Sequence, residues 1–414
     1  MKEILELASD CLNCKLKPCS MKGCPIKTNI PEFINMVKDG NYEEAYKILQ
    51  ENNLSSYICS IVCPQEEQCE GSCVKGIKNT PVHIGNIEKL VNEWAIKNNY
   101  KYEIDKKELN GKRVAIIGSG PAGLACSIEL LKEGFSVDIY EKDKIPGGIL
   151  VYGIPDFRLS KTIVEELINK IKKLGANFIT EKELGKDVVL ENLTKEYDAV
   201  FLGIGATKST TYSLSDEDVE GIYKSDEFLK AYNEKQFINN LGKVVVIGGG
   251  NVAMDSARAA VKMGAEEVKI LYRRDRVHMP AREVELDEAI KDGVEFKELV
   301  RVISVDTENR TIKKVNCIET EIIDGKAVDK QDAENYKEEA NTVVFAIGLK
   351  PDKNLLQNQG IELDDWGYVK VDECGKTNLP TVYAGGDNTE SKATVCRALA
   401  AGKKAAFGII KNIK

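Results

Sequence analysis

Arg113-Val-Ala-Ile-Ile-Gly-Ser-Gly-Pro-Ala-Gly-Leu124, running on to Val137-Asp-Ile-Tyr-Glu-Lys142, decides the fold. An apolar run leads into Gly118-x-Gly120-x-x-Gly123, with Pro121 and Ala122 inside the finger. An amphipathic helix follows, and a second apolar strand ends at Glu141. The glycines permit a tight turn and let backbone approach a pyrophosphate at a helix N-terminus, while an acid after the second strand suits a ribose hydroxyl. A bare three-glycine pattern often marks only a turn. Here strand, helix, strand and acid are all in register, which reads as a dinucleotide-binding unit.

Working outward, Gly242-Lys-Val-Val-Val-Ile-Gly-Gly-Gly-Asn-Val-Ala-Met-Asp255 repeats the logic as Gly248-x-Gly250-x-x-Ala253, with Asn251, Val252 and Asp255 opening the next helix. The strand after it, Val268 to Tyr272, ends in Arg273-Arg274 instead of an acid. Arginines suit the 2′-phosphate of NADPH, whereas an acid suits the 2′-hydroxyl of NADH. The rival reading is an exposed basic turn, and Asp275 next door weakens the preference. Residues 276–288 read as a charged, solvated face, helical after Pro280, and residues 301–340 as a small antiparallel insert.

Two strands, Tyr197–Ala206 and Asn341–Gly348, are near copies that close the two halves, which implies one nucleotide-binding domain inserted into another. Thr381-Val-Tyr-Ala-Gly-Gly386-Asp387 ends the chain's last strand. Its acid can accept hydrogen bonds from a ribityl chain, and the helix from about Thr394 and Val395 points its N-terminal dipole the same way. The loop Ile145–Arg158 is dense in Gly and Pro, including Gly148, with Leu150, Tyr152 and Phe157 as apolar walls. Such a loop either connects elements or presses against a large flat group.

The 414 residues suit two or three domains. A net charge of -8 and no Arg- and aromatic-rich stretch argue against nucleic acid as a partner. No apolar run reaches the roughly 20 residues of a membrane helix, and no signal-peptide core is seen, so a cytoplasmic protein is expected. Eight of 12 cysteines precede residue 74. In a reducing compartment such a cluster argues for metal over disulfides. The spacing, Cys11-x2-Cys14-x4-Cys19-x4-Cys24-Pro and Cys59-x3-Cys63-Pro-x4-Cys69-x3-Cys73, allows two zinc sites or two iron–sulfur clusters. The Cys-Pro steps and the flavin-type domain alongside favour iron–sulfur. Cys126, Cys317, Cys374 and Cys396 read as single cysteines without the Cys-x-x-Cys of a disulfide reductase. Only His83 and His278 are present, His83 read as a packing residue, and no catalytic acid or base is expected.

The run Cys63–Cys73 with Pro81–Glu88, the Tyr-Gly-Ile-Pro loop and both glycine fingers resemble, over nearly the whole chain, the NADPH-dependent glutamate synthase small-subunit family. That family includes the large subunit of the NADH-dependent ferredoxin:NADP oxidoreductase and the flavin half of dihydropyrimidine dehydrogenase. The resemblance implies an α/β fold of two nested Rossmann-like domains, for FAD and NADPH, behind a small helical iron–sulfur domain. Its domains would fall at 1–110 (two [4Fe-4S] clusters), 111–206 (FAD, first part), 207–344 (NADPH) and 345–414 (FAD, second part). It further implies that one [4Fe-4S] cluster takes Cys11, Cys14, Cys19 and Cys73. The other takes Cys24, Cys63, Cys69 and Glu88, leaving Cys59 unliganded. The loop through Gly148, Leu150, Tyr152 and Arg158 would lie on the flavin ring.

Electrons would then pass from NADPH through FAD and the clusters to a larger, glutamate synthase-like subunit, or alternatively to a ferredoxin-type acceptor. A zinc-holding, redox-sensing scaffold is the non-catalytic alternative. The chain shows no amidotransferase nucleophile of its own. The run after Asp387 departs from the family's glycine-rich pattern.

Overall fold

A computed structural model describes residues 2–236, 238 and 240–413. The chain forms two compact units. One comprises Met1–Val151, Phe157–Ala206 and Pro351–Lys414; the other comprises Tyr152–Asp156 and Thr207–Lys350.

The first unit opens with helices α1 (Lys2–Ser9), α2 (Ile30–Lys38), α3 (Tyr42–Asn52), α4 (Ser56–Val62) and α5 (Ile84–Lys97). Their apolar residues recur at helical spacing: Ile84, Ile87, Val91 and Ala95 of α5 are buried against Ile30, Phe33, Ile34 and Val37 of α2. Burying each large apolar side chain contributes roughly 1.5–3 kcal/mol. Pro31 sits in the first turn of α2, and the Asn41 side chain caps α3 by accepting from Glu44 N at 3.1 Å. Between the helices the cysteine loops turn sharply, with Asn13 and Lys17 in left-handed backbone (φ 47° and 44°).

Next come β1 (Arg113–Ile117), α6 (Pro121–Lys132), β2 (Ser136–Tyr140), α7 (Ile149–Tyr152), α8 (Lys161–Leu174), β3 (Asn177–Ile179), α9 (Leu190–Glu196) and β4 (Ala199–Leu202). The loop expected to be turn-rich thus contains one helical turn, α7. Tyr152 groups with the second unit, not with the flavin half as expected.

In the second unit β5 (Lys208–Ser209) pairs antiparallel with β15 (Leu349–Lys350), bringing the two ends of the insert together. Within it follow β6 (Ile222–Lys224), α10 (Ser225–Asn233), β7 (Lys243–Ile247), α11 (Asn251–Lys262), β8 (Glu267–Tyr272), α12 (Glu283–Lys291) and β9 (Glu295–Glu298). The long strands β10 (Val300–Glu308) and β11 (Thr311–Ile323) pair antiparallel, with β12 (Lys326–Asp329) and β13 (Tyr336–Glu339) both on β11. β14 (Thr342–Phe345) returns to the main sheet, whose order is β6-β14-β7-β8-β9, all parallel. The helix expected after Pro280 is α12, and ahead of it the Asp275 side chain caps a single 3-10 turn at Arg276–His278.

The chain re-enters the first unit through α13 (Lys353–Asn358), β16 (Val382–Ala384) and α14 (Val395–Ile413). The first sheet is then β16-β4-β1-β2-β3, also all parallel. Each glycine finger therefore follows the central strand of a five-stranded parallel sheet. α14 lies against α6 so closely that a Cβ on Gly402 would stand 2.0 Å from the Ala122 carbonyl oxygen.

Candidate functional site

Three stretches of the first unit meet beyond the C-terminal ends of its strands, where doubly wound sheets take their ligands. A Cβ on Gly123 would stand 1.9 Å from the Gly118 carbonyl oxygen, and one on Gly118 2.4 Å from that of Gly203. Gly118 also has φ 97°, which disfavours side chains. A Cβ on Gly120 would meet no protein atom within 4 Å. Protein packing therefore accounts for the outer glycines and not for the middle one, which leaves bare backbone open at the N-terminus of α6. That is the cradle a pyrophosphate needs.

Glu141 follows β2 and is only 4% exposed. Its carboxylate accepts from Ser119 N at 3.0 Å, from Ser119 Oγ at 2.5 Å and from Asp143 N at 2.9 Å. Ser119 Oγ accepts in turn from Gly147 N at 2.9 Å, and a Cβ on Gly148 would lie 2.9 Å from Gly120 Cα. Finger, acid and loop are thus tied together by Ser119, a residue the sequence reading passes over; a hydroxyl between two finger glycines was the available signal. Leu150 is buried and Arg158 half-buried.

The third stretch follows β16. Gly386, at φ 90°, brings its Cα close enough that a Cβ would meet Ala122 Cβ at 3.0 Å. Burial, with the Glu390 charge adding to it, pushes the Asp387 carboxyl up to about 6. Asn388 beside it is fully buried and donates to Leu202 O at 2.9 Å, while its Oδ1 has no hydrogen-bond partner. An enclosed acid and an unsatisfied amide oxygen fit a ligand that brings hydroxyl and N–H donors, as a flavin does. α14 begins at Val395, with Thr394 just outside it accepting from Arg397 N at 3.4 Å.

In the second unit a Cβ on Gly250 would meet only Pro280 Cγ, at 4.0 Å, so the middle glycine is again open. Asn251 Oδ1 accepts from Arg282 N at 2.9 Å, and Ala253 and Asp255 are buried. Beyond β8 the charges around Arg273 and Arg274 are already committed. Asp275 Oδ1 lies 2.6 Å from His278 Nδ1, and Arg276 pairs with Glu283. Among the described residues Arg273, exposed, and Arg274, half-buried, carry no ion pair. Asp275 is hydrogen-bonded to His278 and forms an ion pair with neither arginine.

The cysteines gather into two surrounds. Cys11, Cys14, Cys19 and Cys73 line one pocket with Pro18, Ile34 and Val82; its empty volume is about 360 Å³, open solvent included. Leu12 and Leu16 beside it are 63% and 84% exposed. The second surround is interior. Cys59, Cys63 and Cys396 are buried with Ile26, Ala125 and Leu399, and Cys24 and Val395 pack on them. Burial, with the nearby Glu88 and Cys24 charges, holds the Cys69 thiol above its usual range. Burial, with the Cys396 thiol next in effect, pushes Glu88 up to about 8. Burial also pushes the Cys19 and Cys24 thiols up to about 11. A carboxyl and thiols so enclosed would carry charge at neutral pH only against a cationic centre. Among the described residues no three such side chains close on one point as the ligands of a single ion would.

Two sequence expectations change here. Cys396 is not solitary: it is buried with Cys59 and Cys63, and its S–H donates to Gln68 Oε1 at 3.1 Å. His83 is exposed at the start of α5, because Val82 and Ile84 on either side take the buried positions.

Two parallel dinucleotide-binding sheets, the second inserted in the chain of the first, behind a cysteine-rich helical domain, define a flavin- and pyridine-nucleotide-linked oxidoreductase. The family model for pyridine nucleotide-disulphide oxidoreductases matches residues 112–404, and that for dihydropyrimidine dehydrogenase domain II, 4Fe-4S cluster, matches residues 1–100. The chain belongs to this oxidoreductase family, in the branch that contains the glutamate synthase small chain. It is 35% identical to the glutamate synthase [NADPH] small chain of Escherichia coli (strain K12), covering 97% of this chain and 90% of that one. It is 33% identical to the NADP(+)-dependent formate dehydrogenase subunit beta of Moorella thermoacetica, covering 96% of this chain and 60% of that longer one. Among solved structures, Mycobacterium tuberculosis FprA in complex with NADPH superposes with a TM-score of 0.62 at 21% identity, over 73% of this chain and 84% of that one. Thioredoxin reductase of T. acidophilum gives 0.57 at 21%, over 73% and 99%. At these identities both likenesses speak to fold. Among the described residues no helix is long and apolar enough to cross a membrane.

Proposed function

We propose that this chain is an electron-input subunit that oxidises NADPH and delivers electrons, through FAD and two [4Fe-4S] clusters, to a larger partner. Bound in these sites, FAD would supply hydride acceptance from NADPH and one-electron transfer to iron–sulfur clusters. The observation that carries the reading is the packing of the second cysteine surround against Ala125 of α6 and Val395 and Leu399 of α14, the helices that open at the flavin cradle.

Each residue then has a task. Gly118, Gly120 and Gly123 turn backbone N–H groups toward the FAD pyrophosphate, Glu141 faces its ribose, and Asp387 accepts from its ribityl hydroxyls. Gly148 lets the 145–158 loop approach the finger. Gly248, Gly250 and Asn251 repeat the cradle for NADPH, and Arg273 and Arg274 clamp its 2′-phosphate with charge-assisted bonds. Cys11, Cys14, Cys19 and Cys73 hold the outer cluster, and Cys24, Cys63, Cys69 and Glu88 the inner one. The outer site opens to the surface beside exposed Leu12 and Val74, apolar side chains suited to a protein partner.

An anaerobic NADPH titration of the purified protein, with iron and zinc assayed on the same sample, tests this. Flavin bleaching with about eight irons per chain, as two [4Fe-4S] centres require, is expected. Zinc without iron, or a flavin that NADPH leaves oxidised, would overturn it and favour the scaffold alternative. A second reading changes only the acceptor, since relatives of similar identity include subunits of a formate dehydrogenase and of an NADPH-Fe(3+) oxidoreductase. Capture of the native partner separates a glutamate synthase large subunit from a ferredoxin-type acceptor.

A further inference from the structure

The first glycine of each finger donates its N–H to the strand alongside: Gly118 to the Tyr140 carbonyl at 2.8 Å, and Gly248 to the Leu271 carbonyl at 3.2 Å. The residues that follow those carbonyls, Glu141 and Tyr272, therefore hold the same place in the two sheets. The residue after the first glycine meets each of them. In the first finger it is Ser119, whose N–H and hydroxyl both donate to the Glu141 carboxylate. In the second it is Gly249, and a Cβ there would stand 2.4 Å from Cδ2 and Cε2 of the Tyr272 ring. Tyr272 is buried, and its hydroxyl, at the far end of the ring, donates to the His278 carbonyl at 2.8 Å. What it lays against the finger is carbon. The loop it holds returns to the finger at two further points, with Ala281 N donating to Gly249 O at 3.0 Å and Arg282 N to Asn251 Oδ1 at 2.9 Å.

Resting on the reading that the second finger takes NADPH, we propose that Tyr272 is a specificity-determining residue that discriminates against NAD(H). A carboxylate at this place offers an acceptor to a ribose 2′-hydroxyl. Tyr272 substitutes a ring face, so the free 2′-hydroxyl of NAD(H) leaves water for a surface with no partner to give it. NADPH carries a phosphate in place of that hydroxyl, and Arg273 and Arg274 directly after Tyr272 can pair with it. Discrimination is thus built from a repulsive element, the ring, beside an attractive one, the arginines. The ring also accounts for the run of three glycines, since no side chain fits at Gly249 against it.

Full-length holoprotein would be titrated calorimetrically with NADP+ and with NAD+, which leave the flavin oxidised. The samples are wild type, the double variant Gly249→Ser with Tyr272→Glu, and the single variants Tyr272→Gln and Tyr272→Phe. The double variant carries the hydroxyl and acid of the first finger into the second and leaves both arginines. It should bind NAD+ at least about tenfold more tightly than wild type, and NADP+ more weakly, because the phosphate then faces a carboxylate. Tyr272→Gln brings an uncharged acceptor with Gly249 in place and should tighten NAD+ by a smaller factor. Tyr272→Phe brings none and should keep the wild-type ratio of the two affinities. Flavin per chain shows which variants fold, and Tyr272→Gln decides alone if the double variant does not. NAD+ affinity unchanged in every folded variant that carries an acceptor would overturn the proposal. So would a Tyr272→Phe ratio shifted towards NAD+ as far as that of the acceptor variants. The underlying reading is tested separately by Gly250→Ala, which should lose affinity for both nucleotides. If it keeps both, that reading fails whatever Tyr272 does.

Discussion

The two parallel sheets place the same four strands around a glycine finger, with an edge strand from the end of the chain (β16) in the first and from ahead of the finger (β6) in the second, and they differ most at the tip of the strand after the finger. In the first, Glu141 is buried and folded onto Ser119 of its own finger. In the second, Arg273 and Arg274 stand free of ion pairs among the described residues, while Asp275 and Arg276 are bound to His278 and Glu283. The glycine turns are thus built alike, and the charge one strand further on differs in sign. The fingers also differ internally. Gly123 of the first is required by a backbone oxygen 1.9 Å from where its Cβ would be, whereas the second accommodates Ala253 at that place, fully buried.

The largest expected effect follows from that internal difference. Gly123→Val should cost more than about 4 kcal/mol, because neither the Gly118 carbonyl nor the α6 backbone can yield. Ala253→Val, which only overpacks an existing Cβ, should cost roughly 1–3 kcal/mol. Soluble yield, thermal midpoint and flavin per chain would show it, and equal losses at the two positions would break the comparison.

Next in size is the tip of β8. Each charge-assisted bond to a phosphate contributes roughly 1.5–3 kcal/mol. The double variant Arg273→Ala with Arg274→Ala should therefore weaken NADPH binding at least about 100-fold, with NADH binding little changed. Calorimetric titration with both nucleotides checks this. An equal loss for both would mean that the arginines do not read the 2′-phosphate.

These features were legible because they are local. A finger, its helix and the strand tip lie within about thirty residues, and apolar periodicity marks each element. In α8 (Lys161–Leu174) Val164, Leu167, Ile168 and Ile171 are buried at helical spacing; the antiparallel insert at 301–340 was likewise expected. What was not legible depends on distant packing. Cys396 meets Gln68 from 328 residues away, and no spacing rule announces that contact. The assignment of Tyr152 to the second unit likewise follows from contacts: its carbonyl accepts from Asn233 Nδ2 at 2.9 Å.

Asp387 carries the third prediction, and it has no counterpart in the second finger. Its carboxyl moves from 3.8 unfolded up to about 6 folded, chiefly by burial. The folded state holds this proton more tightly. The stability it contributes is present below about pH 4 and is lost as pH rises through 6. The roughly two-unit shift corresponds to at most about 3 kcal/mol. Asp387→Asn has no such titration. With flavin removed, it should be more stable than wild type at pH 7.5 and lose that advantage towards pH 4, as read by urea unfolding at the two pH values. A constant difference across that range would place the cause elsewhere. With FAD present the order should reverse, since the amide accepts hydroxyl bonds less strongly than a carboxylate.

The smallest effect on folding is expected at the middle glycines, where the two fingers agree. Gly120 has φ -69° and ψ -178°, and Gly250 φ -96° and ψ 172°, both extended backbone that alanine adopts without strain. With no protein atom within 4 Å of a Cβ on Gly120 and only Pro280 Cγ near one on Gly250, neither substitution should disturb packing. Alanine also narrows the unfolded ensemble, so each variant should match or exceed wild type by up to about 1 kcal/mol when unliganded. Ligand binding should respond oppositely, because the new methyl occupies the space a pyrophosphate would fill. Gly120→Ala should lose flavin and keep NADPH affinity; Gly250→Ala should keep flavin and lose NADPH affinity. If Gly120→Ala retains its flavin, the open face of that finger is not where the dinucleotide lies. If it unfolds more readily when unliganded, the glycine serves the fold after all.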